Sequence, residues 1–79
     1  MTEKEKFIYD NLNRKYKRIV IGKRELAYEL GVSVSTIDNY ICRGYGIPPY
    51  KKLGTSNNAK VVFNLVDVAI FLAATIKTN

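Results

Sequence analysis

The segment 23–42 has apolar residues at helical spacing on both sides of Gly31. The set before this glycine is Leu26, Ala27 and Leu30, and the set after it is Ile37, Tyr40 and Ile41. Because glycine readily takes the positive φ that ends a helix, the pattern predicts two short helices around a tight turn. We expect the rest of the chain to be organised around this pair.

Small and polar residues in the same segment indicate how the two helices pack and begin. The small side chain of Ala27 suits a close crossing of the helices, and Val32 is expected to fill the corner between them. Either Ser33 or Ser35 can cap the second helix, and the sequence from Ser35 to Asp38 has the S-x-x-D form of a capping box. The predicted buried face consists of Leu26, Leu30, Val32, Ile37 and Tyr40.

The opposite face of the second helix is predicted to be exposed and mostly polar. It carries Val34, Ser35, Asp38, Asn39 and Arg43. Small polar residues at an exposed helix start suit the reading of base edges in the major groove of DNA. The alternative is a pair of helices that only packs a core. The alanine, glycine and apolar positions all fall at the offsets of a helix-turn-helix, so we favour that motif.

Residues 2–16 predict an amphipathic helix in front of this unit. Its apolar stripe consists of Phe7, Ile8, Tyr9, Leu12 and Tyr16. Its basic end, residues 14–18, either contacts phosphates or is a solvated helix end, where Lys and Arg favour the C-terminal dipole. The β-branched residues 19–21 then predict a short strand before Gly22.

Two glycines and two prolines in residues 43–49 must end the second helix and turn the chain. Residues 50–53 and 60–63 then predict two paired strands, joined by the polar segment 54–59. This hairpin presents Lys51, Lys52 and Lys60. An ordinary surface hairpin is the alternative. Basic hairpins after a helix-turn-helix commonly lie against the DNA backbone or minor groove, so we interpret it as a wing.

Asn64 is expected to cap a last helix over residues 65–77, with Asp67 in its first turn. Apart from Asp67 and Thr75, residues 65–76 are apolar, so this helix must be covered on more than one side. We expect the N-terminal helix to cover one side and the helix-turn-helix the other. A second molecule can provide the same cover, which leaves a homodimer open.

Composition narrows the class of protein. The 79 residues allow one domain, and 13 Lys and Arg against 7 Asp and Glu give a formal charge of +6. That charge favours a polyanionic partner, either nucleic acid or an anionic membrane surface, although many small soluble domains are as charged. Membrane binding is disfavoured, because the last helix needs the apolar stripe of the N-terminal helix as cover.

The reactive residue types are few. The chain has a single cysteine, Cys42, and no histidine, so an internal disulfide is excluded and neither a metal nor a cofactor is expected. There is no signal-peptide pattern and no apolar run long enough to span a membrane, which favours a cytoplasmic location. No nucleophile with a base, paired carboxylates or phosphate loop is present, so we expect no catalytic residues and no enzyme.

The elements in this order resemble the excisionase and MerR-like winged-helix DNA-binding domains. The residues that carry the resemblance, within 19–74, are RELAYELGVSVSTIDNYICRG, the hairpin entry IPPYKKLG, and VVFNLVDVAIFLA. The pattern is also similar to the DNA-binding domain of phage small terminase subunits. The expected fold class is mainly α with a small β-hairpin. We expect an amphipathic N-terminal helix over residues 1–18 to pack on a winged helix-turn-helix domain over residues 19–79.

The resemblance implies that the second helix enters the major groove and that the wing contacts the adjacent minor groove or backbone. The implied helix contacts are Ser33, Ser35, Thr36, Asn39 and Arg43. The implied wing contacts are Lys51, Lys52 and residues near Asn57, and the charge of the hairpin adds Lys60. Asn39 is the favoured base reader, because its amide can pair with N6 and N7 of adenine.

The chain departs from the family pattern at three points. Val34 stands where many relatives carry a basic residue. Asp38 would repel phosphates unless it caps the helix or accepts a hydrogen bond from a cytosine amine. No long dimerisation coil follows the domain, in contrast to full MerR regulators, which favours a stand-alone module.

The expected function is sequence-specific binding of double-stranded DNA, in transcription regulation or as an excisionase-like recombination factor. One alternative is DNA recognition in phage packaging, as in small terminase subunits. The other is a protein-interaction module that docks through its apolar last helix. Because one reading helix and one wing cover about half of a typical specific interface, a homodimer or cooperative assembly on DNA is expected.

Overall fold

The structure, a computed structural model, describes residues 1–55 and 60–74 of the chain. The elements in these residues are α1 (Glu3–Tyr16), β1 (Val20–Gly22), α2 (Lys23–Leu30), α3 (Val34–Arg43), β2 (Lys51–Leu53), β3 (Lys60–Asn64) and α4 (Leu65–Ala73). The predicted mainly α fold with a small β component is confirmed. The last helix ends at Ala73 and Ala74 is extended, so the expectation of a helix to residue 77 is wrong at Ala74. Residues 75–77 lie outside the described residues.

The β component is a three-stranded antiparallel sheet with strand order β1-β3-β2. The predicted hairpin forms, with Lys51 opposite Val62 and Leu53 opposite Lys60. The short strand predicted over residues 19–21 forms one residue later, at Val20–Gly22, and it pairs with the other edge of β3, with Ile21 opposite Phe63. The hairpin is therefore part of a larger sheet, because β3 has two edges and only one of them is used by β2.

Local capping explains where the helices begin and end. Thr2 and Glu5 form a capping box at the start of α1, and the carboxylate of Glu25 accepts from the backbone N–H of Gly22 at 2.8 Å at the start of α2. Gly31 takes a φ of +71° and ends α2 as predicted. Ser33 caps α3 by accepting from the backbone N–H of Thr36 at 3.2 Å. Ser33 is thus the cap, and the box from Ser35 to Asp38 does not form.

The core is a cluster of side chains from every helix and from β1 and β3. Its members are Leu12, Ile21, Leu26, Ala27, Ile37, Val61, Phe63, Leu65, Val68 and Ala69. α1 covers one side of α4 as expected, and theirs is the most extensive contact between two elements of the described residues. α4 also contacts β3, which directly precedes it in the chain. The α2–α3 pair meets α4 only through the core cluster, so the expected cover of the second side by these two helices is minor.

Two residues expected to be buried are exposed. The side chain of Phe7 is 69% exposed, because at 100° per residue it lies nearly opposite the centre of the stripe formed by Ile8, Leu12 and Tyr16. Val32 is 37% exposed. Its backbone N–H donates to the carbonyl of Ala27 at 3.0 Å, so backbone hydrogen bonds close the turn and no buried Val32 side chain is needed.

Candidate nucleic-acid interface

The burial of one side of α3 in the core determines which of its residues are exposed on the other side. Ile37 is fully buried against the core, and Tyr40 and Ile41 are half-buried beside it. The remaining positions therefore point outward, and the exposed ones are Val34, Ser35, Asp38, Asn39, Cys42 and Arg43. Ser35, Asn39 and Arg43 are spaced four residues apart, so they form one stripe along the helix.

Two of the predicted helix contacts are engaged in hydrogen bonds within the chain. The hydroxyl of Ser33 caps the helix and lies 3.0 Å from the hydroxyl of Thr36. Ser33 is exposed and Thr36 is half-buried. The stripe of Ser35, Asn39 and Arg43 is consequently the part of the predicted site whose polar groups are presented to solvent.

A constrained connection links α3 to the hairpin. Gly44 and Gly46 have positive φ angles of 79° and 86°, and Pro48 is fully buried. A Cβ atom on Gly46 would lie 3.4 Å from the ring of Tyr40, so the chain passes close to that ring. This packing fixes the end of α3 at Arg43 and the start of the hairpin relative to it.

The β2–β3 hairpin exposes Lys51, Lys52 and Lys60 as predicted. Lys52 is opposite Val61, so it lies on the sheet face that carries the core residues Val61 and Phe63. Lys51 and Lys60 lie on the other face. The three lysines therefore do not form a single patch. Asn57, the remaining predicted wing contact, lies outside the described residues.

The charges of this region are unbalanced. Residues 39–66 contain Arg43, Lys51, Lys52 and Lys60 and no Asp or Glu. Within residues 1–55 and 60–74, three ion pairs form, and they join Lys15 to Glu29, Arg18 to Glu25 and Lys23 to Asp38. None of them involves the four cations above. The end of α3 and the hairpin thus carry cations that form no ion pair with a carboxylate of the described residues, and the next acid in the sequence, Asp67, lines a surface pocket together with Lys51.

The basic end of α1 is tied to α2 instead. The ammonium of Lys15 lies 2.6 Å from Glu29 and 4.3 Å from the ring centre of Tyr28. The guanidinium of Arg18 lies 3.7 Å from Glu25. Two of the four basic residues in the segment 14–18 therefore bind carboxylates of α2, which supports the structural interpretation of this segment over the phosphate-binding one.

Lys23 makes a contact that the sequence did not predict. It is the first residue of α2, and its ammonium lies 2.6 Å from the carboxylate of Asp38 on the outer face of α3. The two residues are 15 positions apart, so no helical or strand period relates them. The ion pair explains how an acid is accommodated on this face.

A separate open groove of about 540 Å³ lies between α1, the end of α2 and α4. Its lining residues are Phe7, Ile8, Asn11, Leu12, Arg14, Lys15, Glu29 and Leu72. It shares no residue with the outer face of α3 or with the hairpin. In the described part of the chain, no helix is both long and apolar enough to cross a membrane, and no group of His, Cys, Asp or Glu is arranged to hold a metal ion.

No protein-family model, curated protein or solved structure matches this chain. The resemblance to excisionase and MerR-like domains consequently depends on the residues quoted above.

Proposed function

We propose that this chain binds double-stranded DNA in a sequence-specific manner as a winged helix-turn-helix protein. In this proposal α2 and α3 are the helix-turn-helix, α3 enters the major groove, and the β2–β3 hairpin is the wing on the adjacent backbone or minor groove. Transcription regulation, excisionase-like recombination and phage DNA packaging would all use the same interface.

The observation that carries the proposal is the charge distribution around α3. An exposed polar helix face is followed by four basic residues without an acid, and these cations lie at the end of α3 and on the hairpin. Exposed cations without carboxylate partners release counterions when they meet phosphates, which supplies much of the affinity for DNA. The polar stripe beside them offers side chains that can discriminate bases.

Asn39 is the central residue of that stripe. It is exposed, and it lies between Ser35 and Arg43 at successive turns of the same face. Its amide can donate to N7 and accept from N6 of adenine, which is worth about 1–3 kcal/mol of discrimination. In this proposal Arg43, at the helix end, contacts the DNA backbone.

The alternative of protein docking through the last helix is weaker. Leu65, Val68 and Ala69 of α4 are fully buried, because α1 and β3 already cover the helix. Ile70, 41% exposed, is the large apolar residue of α4 that solvent reaches most. The apolar surface that α4 keeps is that of Ile70 and of the half-buried Val66, Phe71 and Leu72.

The test is fluorescence anisotropy on random duplex DNA across a salt series, with Lys51→Glu/Lys52→Glu as the variant. The two lysines lie on opposite faces of the hairpin, so whichever face meets DNA has a cation replaced by an acid. We expect the slope of log K against log salt to fall by about 0.9, and the affinity to fall at least about tenfold.

The matched control is Lys4→Glu/Lys6→Glu, which makes the same charge change at two exposed residues of α1. It should lower the affinity far less than the hairpin variant. Equal losses would show that binding follows net charge alone, and absence of wild-type binding at low salt would exclude the proposed function.

A further inference from the structure

The outer face of α3 carries a single carboxylate, that of Asp38. Its side chain is 52% exposed, and one of its oxygens accepts from the ammonium of Lys23 at 2.6 Å. A negative charge at this position would oppose the approach of phosphates if it had no cation beside it. Lys23 provides that cation from the start of α2.

The structure removes one of the roles considered for Asp38. The cap of α3 is Ser33, and Asp38 lies in the second turn, beyond the backbone N–H groups that need a cap. A carboxylate has about four acceptor positions on two oxygens, and the hydrogen bond from Lys23 uses one of them. Acceptor capacity therefore remains at a half-exposed position on the face that we assign to the major groove.

The major groove offers few donors to such an acceptor. Cytosine presents its N4 amine, guanine presents only the acceptors N7 and O6, and thymine presents the acceptor O4 and a methyl group. Adenine has a donor at N6, but the acceptor N7 lies beside it and would repel a carboxylate. A carboxylate thus favours cytosine and disfavours guanine and thymine at the position it faces.

We infer that Asp38 is a specificity-determining residue that selects cytosine, and that Lys23 is the positioning residue that holds and partly neutralises its carboxylate. This inference rests on the proposed function. It makes Asp38 a second base-reading residue beside Asn39, at the adjacent position of α3. It also gives the ion pair between α2 and α3 a role in DNA recognition. Stability alone would not account for this pair, since exposed ion pairs stabilise little.

The experiment selects binding sites from a random duplex library with wild type, Asp38→Ala, Asp38→Asn and Lys23→Met. For Asp38→Ala we expect one position of the selected site to lose a preference for cytosine of about fivefold or more, while the other positions keep theirs. Its affinity for random duplex should rise severalfold, because a negative charge is removed. For Asp38→Asn the same position should change from cytosine to adenine, which an amide prefers.

Lys23→Met should lower affinity for all sequences, since it removes a cation and leaves the carboxylate unneutralised. It should also weaken the cytosine preference at the position that Asp38→Ala changes, and an unchanged preference would overturn the positioning role of Lys23. The control is Asp10→Ala on α1, which should change neither the selected site nor the affinity. Thermal melting verifies that each variant is folded. If folded Asp38→Ala and Asp38→Asn select the wild-type site, this inference is overturned while the proposed function stands. If wild type selects no site and binds no duplex, both are overturned.

Discussion

The carboxylate of Glu29 joins α1 to α2 through two donors. It accepts from the ammonium of Lys15 at 2.6 Å and from the phenol of Tyr16. Burial by itself raises the pKa of Glu29, but the hydrogen bonds from Lys15 and Tyr16 outweigh it and hold the pKa below the ordinary 4.5. Burial, followed by the hydrogen bond to Glu29, raises the pKa of the Tyr16 phenol, so this phenol stays protonated as a donor.

Stability should therefore depend on pH through Glu29. Because the pKa of Glu29 is lowered in the folded protein, its ionised carboxylate stabilises the fold at pH values above its ordinary pKa. This stabilisation is lost as the pH falls through the pKa of the folded state. At pH 6 we expect Glu29→Gln to reduce the free energy of unfolding by about 1–3 kcal/mol, because two donors lose a charged acceptor. Urea unfolding at pH 6 and pH 3 should show that this difference shrinks at the lower pH.

The control for this pH effect is Asp10→Asn, a neutralisation at an exposed residue of α1, the helix that carries Lys15 and Tyr16. Its difference from wild type should stay within about 0.5 kcal/mol. A Glu29→Gln difference that is the same at both pH values would show that packing, and not the ionised carboxylate, provides the stabilisation.

At the scale of elements, two serines at the start of α3 have different roles: Ser33 caps the helix, and Ser35 lies on its surface. Ser33 accepts from the backbone N–H of Thr36, whereas Ser35 is exposed within the first turn. We expect Ser33→Ala to reduce the free energy of unfolding by about 1 kcal/mol through loss of the cap, with Ser35→Ala as the matched control that changes it little. Thermal or urea unfolding measures both, and equal losses would contradict the assignment of the cap.

The lysines of the β2–β3 hairpin lie on two different faces of the sheet. Lys51 and Lys60 share one face of the sheet and Lys52 lies on the other, so a flat phosphate backbone can meet only one group. We expect the salt slope of DNA binding to fall either for Lys51→Ala/Lys60→Ala or for Lys52→Ala, by about 0.9 for each lysine that pairs with a phosphate in the wild type. Salt titrations of both variants decide which face binds, and equal effects per lysine would show that the hairpin inserts edge-on.

For the molecule as a whole, α1 is a part of the core. Leu12 is buried with Leu65, Val68 and Ala69 of α4 in one cluster, although α1 and α4 stand at opposite ends of the described chain. The sequence-based division into residues 1–18 and 19–79 thus separates two segments that bury each other's apolar surface.

We expect Leu12→Ala to cost about 2–5 kcal/mol of unfolding free energy, a large part of what a domain of this size has. Urea denaturation followed by circular dichroism measures it, with Phe7→Ala at an exposed position as the control that changes little. Residues 19–79 alone should not fold, because α4 would lose its cover. A folded 19–79 fragment would show that α1 is dispensable.

Much of the fold was predictable from local patterns. Helix periodicity, the positive φ expected of Gly31 and the cap at Asn64 all concern residues within about four positions of one another, and the structure confirms them. The hairpin strands on either side of residues 54–59 were also predicted, from their composition and the polar segment between them, and they pair as expected. The candidate site was predictable as far as exposure goes, since α3 turns Ser35, Asn39 and Arg43 outward once Ile37 is buried.

Tertiary structure alone decided which distant residues meet. The pairing of β1 with β3, the ion pair of Lys23 with Asp38 and the cluster of Lys15, Tyr16 and Glu29 each join segments 13 or more residues apart. A periodic pattern contains no information about such pairs, because it reports only which side of its own element a residue occupies. The amino-acid sequence determined the elements and the excess of positive charge, because both depend on residue type and local spacing. Packing decided which charges form ion pairs and which stay exposed, because it brings together residues that are distant in the chain.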